Sequence, residues 1–259
     1  MKTEKSMLIL GDFDQTKIWA ELFSQHFSVT LLSEFNMIFS SEYRTVENLD
    51  SLIEDEEKFD IIFDLHHDAA IKSADLMDFS ELIVPETVVF TNTTSITATA
   101  ISALLLDHEW VIGVSIYNGV EKKNAVEISK ALQSDRKALN EAEHIFKLIG
   151  KKVYTVSDSV GLISLRTISC LINEAVFALQ ENVASAEDID QSMMLGTNYP
   201  NGPLSWGDQI GLDVILNCLD GLFDEFHDDR YRSAALLRQM VRASNLGKKT
   251  SKGFYNYGM

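Results

Sequence analysis

Two stretches of the 259-residue chain hold the residue types from which a reactive site is built. The first is Gly11-Asp-Phe-Asp-Gln-Thr16, directly after the apolar run Ser6-Met-Leu-Ile-Leu10. A glycine that closes a buried strand before a helix opens the kind of loop whose bare backbone amides meet a diphosphate. The full fingerprint is Gly-x-Gly-x-x-Gly; here Phe13 and Thr16 replace its second and third glycines. A benzyl side chain fills the space the backbone approach needs, and Asp12 and Asp14 bring two carboxylates to the same turn. Each pair of like charges about 4 Å apart costs roughly 1–4 kcal/mol, depending on screening. An exposed helix N-terminus returns only about 0.3–1 kcal/mol, so repulsion of a diphosphate wins. The second stretch is His66-His67, which follows Asp60-Ile-Ile-Phe-Asp64. Strand C-terminal ends are where open α/β sheets build their sites, and imidazole moves protons near neutral pH. One reading makes His66 or His67 a ligand contact or a displaced base; the other makes them an incidental loop pair. His108 precedes a later apolar run, at the wrong end of a strand for chemistry.

The elements that would position these residues alternate in the first half of the chain. Buried-strand runs are Ser6–Leu10, Val29–Leu32, Asp60–Asp64, Val88–Thr91 and Trp110–Ile116. Helical patterns lie between several of them; from Gln15 to His26, for instance, Ile18, Trp19, Leu22 and Phe23 share one face. Continuous apolar strands alternating with helices predict a mostly parallel sheet covered on both sides. From Gly161 onward helical spacing takes over. Leu165, Ile168, Ile172, Ala175, Val176 and Leu179 form one stripe, and Ser185-Ala-Glu-Asp188 has the shape of a capping box. Ile210–Phe226 and Ala234–Leu246 read as further helices. Tyr199 and Trp206 flank a Pro/Gly loop and pack rather than bind. The expected organisation is a Rossmann-like α/β domain over 1–157 and an all-α domain over 158–259.

Composition narrows the function. The 39 acidic against 22 basic residues give −17, the wrong sign for nucleic acid or an anionic membrane surface. No apolar run approaches the roughly 20 residues of a membrane span. Cys170 and Cys218 sit alone in apolar patterns with no metal spacing, as buried thiols in a reducing compartment do. Met7–Leu10 is too short for a signal-peptide core, so a cytoplasmic protein is expected.

Several segments together resemble one family. Val183-Ala-Ser-Ala-Glu-Asp-Ile-Asp190 runs on to Leu195-Gly-Thr-Asn-Tyr-Pro-Asn-Gly-Pro-Leu204 and Ile210-Gly-Leu-Asp-Val214. Asp229-Arg-Tyr-Arg232, Leu246-Gly-Lys-Lys-Thr250 and Gly253-Phe-Tyr-Asn-Tyr257 follow, and Thr91-Asn-Thr-Thr-Ser95 marks a turn in the first half. In this order they resemble the 3-hydroxyacyl-CoA dehydrogenases, the family that includes 3-hydroxybutyryl-CoA dehydrogenases. The resemblance covers nearly the whole chain and implies a Rossmann domain followed by a helical bundle of the 6-phosphogluconate dehydrogenase C-terminal type. It also implies NAD as cofactor, an L-3-hydroxyacyl-CoA as substrate, and a homodimer formed through the helical domain.

The resemblance assigns each site position, and at several of them this chain departs from the family. The family base is the His of Gly-Met-His-Phe-Phe-Asn-Pro; Gly113-Val-Ser-Ile-Tyr-Asn-Gly119 puts Ser115 there. A serine hydroxyl has no basicity near neutral pH. Glu127 falls on the residue that orients that base, with nothing left to orient; otherwise it is an ordinary strand residue. The substrate-holding Ser becomes Thr94, which keeps a hydroxyl, and the substrate-holding Asn becomes Leu165, which has no donor. Gly11, Phe13 and Thr16 are the cofactor-loop positions. Glu34, 23 residues after Gly11, is either the ribose-binding acid or a solvated acid at a strand end. Lys72 stands near a lysine that the family places beside the cofactor; its plain alternative is a solvated helix lysine. Only 25 residues separate Glu34 from Asp60, too few for the helical hairpin that helps the family clasp CoA.

These losses point one way. The expectation is a family member with a degenerate active site, impaired or inactive as a dehydrogenase and weak in NAD binding. Such a chain would work as a binding or assembly partner, with an acyl-CoA or acyl-thioester as a candidate ligand. The rival expectation is an active NAD-dependent oxidoreductase with a relocated base and an altered substrate.

Overall fold

The computed structural model of the chain describes residues 5–33, 42–106 and 108–258. By contacts the chain divides into two compact units. The first is Met1–Ile116 with Val120–Leu162; the second is Tyr117–Gly119 with Ile163–Met259.

The first unit is a sheet with helices on both faces. In chain order it runs β1 (Ser6–Leu10), α1 (Phe13–Ser24), β2 (Ser28–Leu32), β3 (Arg44–Val46), α2 (Asp50–Glu54) and β4 (Phe59–Asp64). It continues with α3 (Ala69–Phe79), β5 (Ile83–Asn92), α4 (Ala98–Leu104), β6 (Val111–Val114), β7 (Ala125–Lys130), α5 (Arg136–Leu148) and β8 (Lys152–Thr155). The strand order is β3-β2-β1-β4-β5-β6-β7-β8. Every neighbouring pair is parallel except β6 and β7. The order reverses between β1 and β4, so the C-terminal ends of these two strands form the switch point at which a doubly wound sheet opens a crevice.

Apolar character on both faces of each central strand explains the layering. Phe63 of β4 and Phe90 of β5 meet Trp19 and Phe23 of α1 and Phe146 of α5, with ring centroids 5.2–6.2 Å apart. The alternate residues Leu8, Leu10, Ile62 and Val89 join Leu52 of α2, Leu76 and Phe79 of α3 and Ile101 of α4 in a second buried cluster. The five strands read from the sequence are present. The structure adds β3, β7 and β8, none of which carries a continuous apolar run: β3 has three residues, β7 interleaves apolar with polar residues, and β8 is an edge strand whose side chains are mostly exposed. Between Leu32 and Phe59 the described residues hold β3 and the five-residue α2.

The second unit is helical: α6 (Ser164–Gln180), α7 (Ala186–Thr197), α8 (Pro203–Ile210), α9 (Leu212–Phe226) and α10 (Ala235–Arg242). The N-cap half of the expected capping box forms. Ser185 Oγ accepts from the Asp188 amide at 3.1 Å, and the two side chains lie 2.8 Å apart. The last helix ends at Arg242, short of Leu246, and the chain returns through a bridged tail, Gly247 to Lys252 and Lys252 to Asn256. Two buried aspartates hold that tail. Asp190 accepts from the amides of Leu204 and Ser205 and from the Tyr255 hydroxyl. Asp208 accepts from the amides of Phe254 and Tyr255 and from the Tyr257 hydroxyl.

Candidate active site at the sheet's C-terminal edge

Three turns meet at the switch-point edge: β1 to α1, β4 to α3 and β5 to α4. Gly11 lies in the first with φ +125°, and a Cβ there would stand 2.6 Å from both the His66 amide nitrogen and the Leu65 carbonyl carbon. The first glycine of the loop is therefore retained for a steric reason, because the turn packs directly on the backbone of the second turn. Asp12 is the N-cap residue of α1, yet its side chain makes no cap bond. Instead Asp12 Oδ2 accepts the His67 backbone N–H at 3.2 Å and lies 3.5 Å from His67 Nε2. Thr16 is a buried helix residue, 1% exposed.

The second turn carries a buried charge cluster. Asp64 ends β4, and Lys72 reaches back from α3 to place Nζ 2.6 Å from Asp64 Oδ2 and 3.1 Å from Thr91 Oγ1. Lys72 is fully buried, so its reading as a solvated helix lysine is wrong; the ion pair with Asp64 takes it inside. His66 Nδ1 lies 2.9 Å from Asp64 Oδ1, and its Nε2 faces Asp75 at 3.5 Å. Burial alone would raise the Asp64 carboxyl, but the Lys72 ammonium and the His66 imidazole outweigh it and hold Asp64 far below the usual carboxylate range. Burial likewise opposes the His66 cation, and the carboxylates of Asp64 and Asp75 win, raising its pKa.

His67 belongs to a separate network, so the pair is not incidental. Its Nδ1 lies 3.0 Å from Thr94 Oγ1 and 3.2 Å from Asn92 Nδ2. Its carbonyl accepts from Ser95 Oγ at 2.7 Å. Asn92 also bonds both backbone groups of Ile116, its amide to the carbonyl at 2.8 Å and its oxygen from the N–H at 3.2 Å. Thr94 Oγ1 also donates to Asn92 Oδ1 at 3.1 Å; a neutral ring that accepts from the Asn92 amide at Nδ1 carries its proton on Nε2, facing Asp12. Thr94 is 0% exposed, so its hydroxyl is spent inside the protein.

Ser115 follows β6 and is 2% exposed; its hydroxyl donates to the Gly161 carbonyl at 3.4 Å. The β6–β7 register pairs Val114 with Ile128, and one further step brings Ser115 beside Glu127. Leu165 lies on α6 in the second unit and is 0% exposed. Glu34 lies outside the described residues. Phe13 begins α1. Among the described residues no three His, Cys, Asp or Glu side chains are placed to hold a metal ion, and no helix is long and apolar enough to cross a membrane.

The sequence did not reveal three participants: Asp64 as partner of Lys72, Asn92 as the bridge between His67 and Ile116, and Asp158. Asp158 accepts from Ala98 N, Thr99 N, Thr99 Oγ1 and Ser129 Oγ, fixing the start of α4 beside the third turn. The one signal available was polarity inside otherwise apolar runs, as at Asp64.

A doubly wound sheet followed by a helical unit, with a switch-point edge that carries the site positions, defines a two-unit protein of the dehydrogenase type. The NAD binding domain of 3-hydroxyacyl-CoA dehydrogenase matches residues 39–159, and the C-terminal domain of that enzyme matches residues 161–257. A 3-hydroxybutyryl-CoA dehydrogenase of Clostridioides difficile is 38% identical over 205 residues, 79% of this chain and 73% of that protein. A probable 3-hydroxybutyryl-CoA dehydrogenase of Bacillus subtilis is 34% identical over 221 residues, 84% and 77% of the two chains. The crystal structure of (S)-3-hydroxybutyryl-CoA dehydrogenase PaaH1 from Ralstonia eutropha superposes with a TM-score of 0.81 at 27% identity, covering 99% of this chain and 100% of that one. The chain belongs to the 3-hydroxyacyl-CoA dehydrogenase family, whose members are NAD-dependent.

The residues present do not fit NAD. The Asp12 carboxylate stands at the first turn of α1, where a diphosphate needs bare amides, and it is committed to His67. The nearby Lys72 ammonium is fully buried and paired with Asp64, so it gives the phosphates no counter-charge.

Proposed function

We propose that this chain is a 3-hydroxyacyl-CoA dehydrogenase relative that has lost hydride-transfer chemistry and acts through its scaffold as a binding or assembly partner. The observation that carries this reading is Ser115: the base position holds a buried alcohol bonded to a backbone carbonyl. Oxidising a 3-hydroxyl removes a hydride and a proton, and the proton needs an acceptor beside the hydroxyl. Leu165 removes a substrate-holding amide as well. The names of the relatives suggest an acyl-CoA or acyl-thioester as the ligand class of any residual site.

Titrating the full chain with NADH by calorimetry, then following absorbance at 340 nm with acetoacetyl-CoA, tests the reading. The expected results are no saturable binding in the micromolar range and no turnover above an enzyme-free control. Micromolar NADH binding with steady turnover overturns it.

One observation favours the rival, an active oxidoreductase with a relocated base: His67 Nδ1 lies within 3.0 Å of Thr94 Oγ1, the hydroxyl position inherited from the substrate-holding Ser. In that case turnover exists and falls by about 10²–10⁴-fold in His67→Asn, the usual worth of a general base. Dimerisation through the helical unit is part of the same proposal. It is supported by the exposed apolar side chains Val183, Met194, Leu195 and Tyr199 on and around α7. Light scattering that gave only a monomer at working concentration would count against it.

A further inference from the structure

The misfit with NAD has a positive counterpart. In an open switch-point crevice the three turns are bridged by a ligand; here His67 bridges them. Its backbone N–H and Nε2 face Asp12 of the first turn, its Nδ1 faces Thr94 and Asn92 of the third, and its carbonyl takes the Ser95 hydroxyl. Every polar edge of this residue is used. The ring is held between two walls of the crevice, with a side-chain exposure of 9%. A residue on the rim of an open ligand site keeps free donors or acceptors toward the ligand.

We propose that His67 is an internal occupant of the switch-point crevice, an autoinhibitory latch that ties the Asp12 loop to the Thr94 turn and closes the groove in which a nucleotide would lie. The inference rests on the reading that this chain does not use NAD, and it adds the agent of closure. Removing the imidazole takes the Nε2 contact from Asp12 and the Nδ1 contact from Thr94 and Asn92 and leaves only the residue-67 backbone N–H to hold Asp12, so all three turns loosen as one unit. A histidine that only fills space would loosen its own turn alone.

Hydrogen–deuterium exchange of the full chain separates these cases. In His67→Ala, amide exchange in 11–16, 65–72 and 92–97 should rise together by about tenfold, the scale of losing a member of a buried hydrogen-bond network. Segments in α5 and β7 should stay unchanged. A rise confined to 65–72, or none, overturns the latch. Should His67→Ala fail to fold by circular dichroism, Thr94→Val cuts one arm and leaves the other. It should loosen 92–97 and 65–72 but not 11–16, and an unchanged 65–72 overturns the proposal. As a second readout, His67→Ala combined with Asp12→Gly should bind ADP at least about tenfold more tightly than the wild type, with about 1 mM as the weakest binding scored. No gain counts against closure of the crevice by this residue. Micromolar NADH binding by the wild type would instead sink the functional reading, a failure that the exchange pattern keeps distinct.

Discussion

The switch-point edge of the first unit and the tail of the second have fared differently. Both are polar networks built around buried aspartates. In the tail, the residues of the C-terminal signature strings are present, and Tyr255 and Tyr257 each bond a buried aspartate. Gly202 is needed because a Cβ there would lie 2.1 Å from Asp190 Cγ; at Gly253 it would lie 2.0 Å from Asp208 Oδ1. A Cβ at Gly247 would lie 2.3 Å from the Asp208 carbonyl oxygen. Those glycines and the tyrosines Tyr255 and Tyr257 serve two carboxylates that cap α8 and hold the C-terminal segment. At the sheet edge, Gly11 stays because the next turn packs on it. On the proposed reading, the positions of the second and third loop glycines, the base and the substrate amide hold Phe13, Thr16, Ser115 and Leu165. That reading makes the edge a place where motifs that bond the protein to itself have outlasted motifs that bond it to something else.

The strongest way to break this comparison is to attack the most deeply buried charges at the edge. If that edge is now a structural core, Lys72→Ala should leave the buried Asp64 carboxylate with His66 as its remaining cationic partner and cost about 3 kcal/mol, the lower end of the scale for splitting a buried ion pair. Urea unfolding of the full chain measures it. A loss below about 1 kcal/mol, typical of an exposed pair, would mean that the edge is open and solvated. Replacing both partners with apolar residues of similar volume should recover part of the loss, because the pair's desolvation is then avoided.

The tail provides the matching test. Gly253→Ala sets a methyl against the Asp208 carboxylate, and the carboxylate can yield only by releasing the amides of Phe254 and Tyr255. The expected cost is about 1–3 kcal/mol, one strained or lost set of buried hydrogen bonds. Thermal unfolding followed by circular dichroism reads it, and limited proteolysis should place the new cleavage between Leu246 and Tyr257. A neutral outcome would mean that close contact with Asp208 is not what requires a glycine at this position.

Both regions differ again in how far they were legible. The tail could be read because its signatures are local strings, such as Gly253-Phe-Tyr-Asn-Tyr257, and a capping box spans only four residues. The alternating apolar runs gave the parallel sheet for the same reason, while β3 and β8 were silent because short or edge strands bury too little to leave a pattern. The edge resisted. Substitutions such as Ser115 and Leu165 were visible, yet a sequence shows what has been lost more readily than what has taken its place. Lys72 looked like a solvated lysine because nothing local marks Asp64, eight residues earlier, as its partner. The tie between Asp12 and His67 joins two turns 55 residues apart and comes into being only when β1 and β4 lie side by side.

The smallest expected effect is a pH dependence that sharpens the contrast. His66 has its pKa raised in the fold by Asp64 and Asp75 against the opposing effects of burial and Lys72, so its cation favours the folded state. That stabilisation is complete below the unfolded histidine value of about 6.5 and fades as pH rises through the higher folded value. Asp64, held low, has the opposite sense: its contribution is complete above the unfolded aspartate value of about 3.9 and fades as pH falls through the folded one. The cluster therefore stabilises most between about pH 4 and 6.5. Comparing wild type with His66→Gln by urea unfolding from about pH 5 to about pH 9 should show a wild-type advantage that is flat below about pH 6.5 and shrinks as pH rises above it. The tail aspartates do not touch His66, so Asp208→Asn should leave the slope of that difference unchanged. An advantage that grew with pH would mean that His66 is buried neutral, and the account of the edge as an ionised structural core would fail with it.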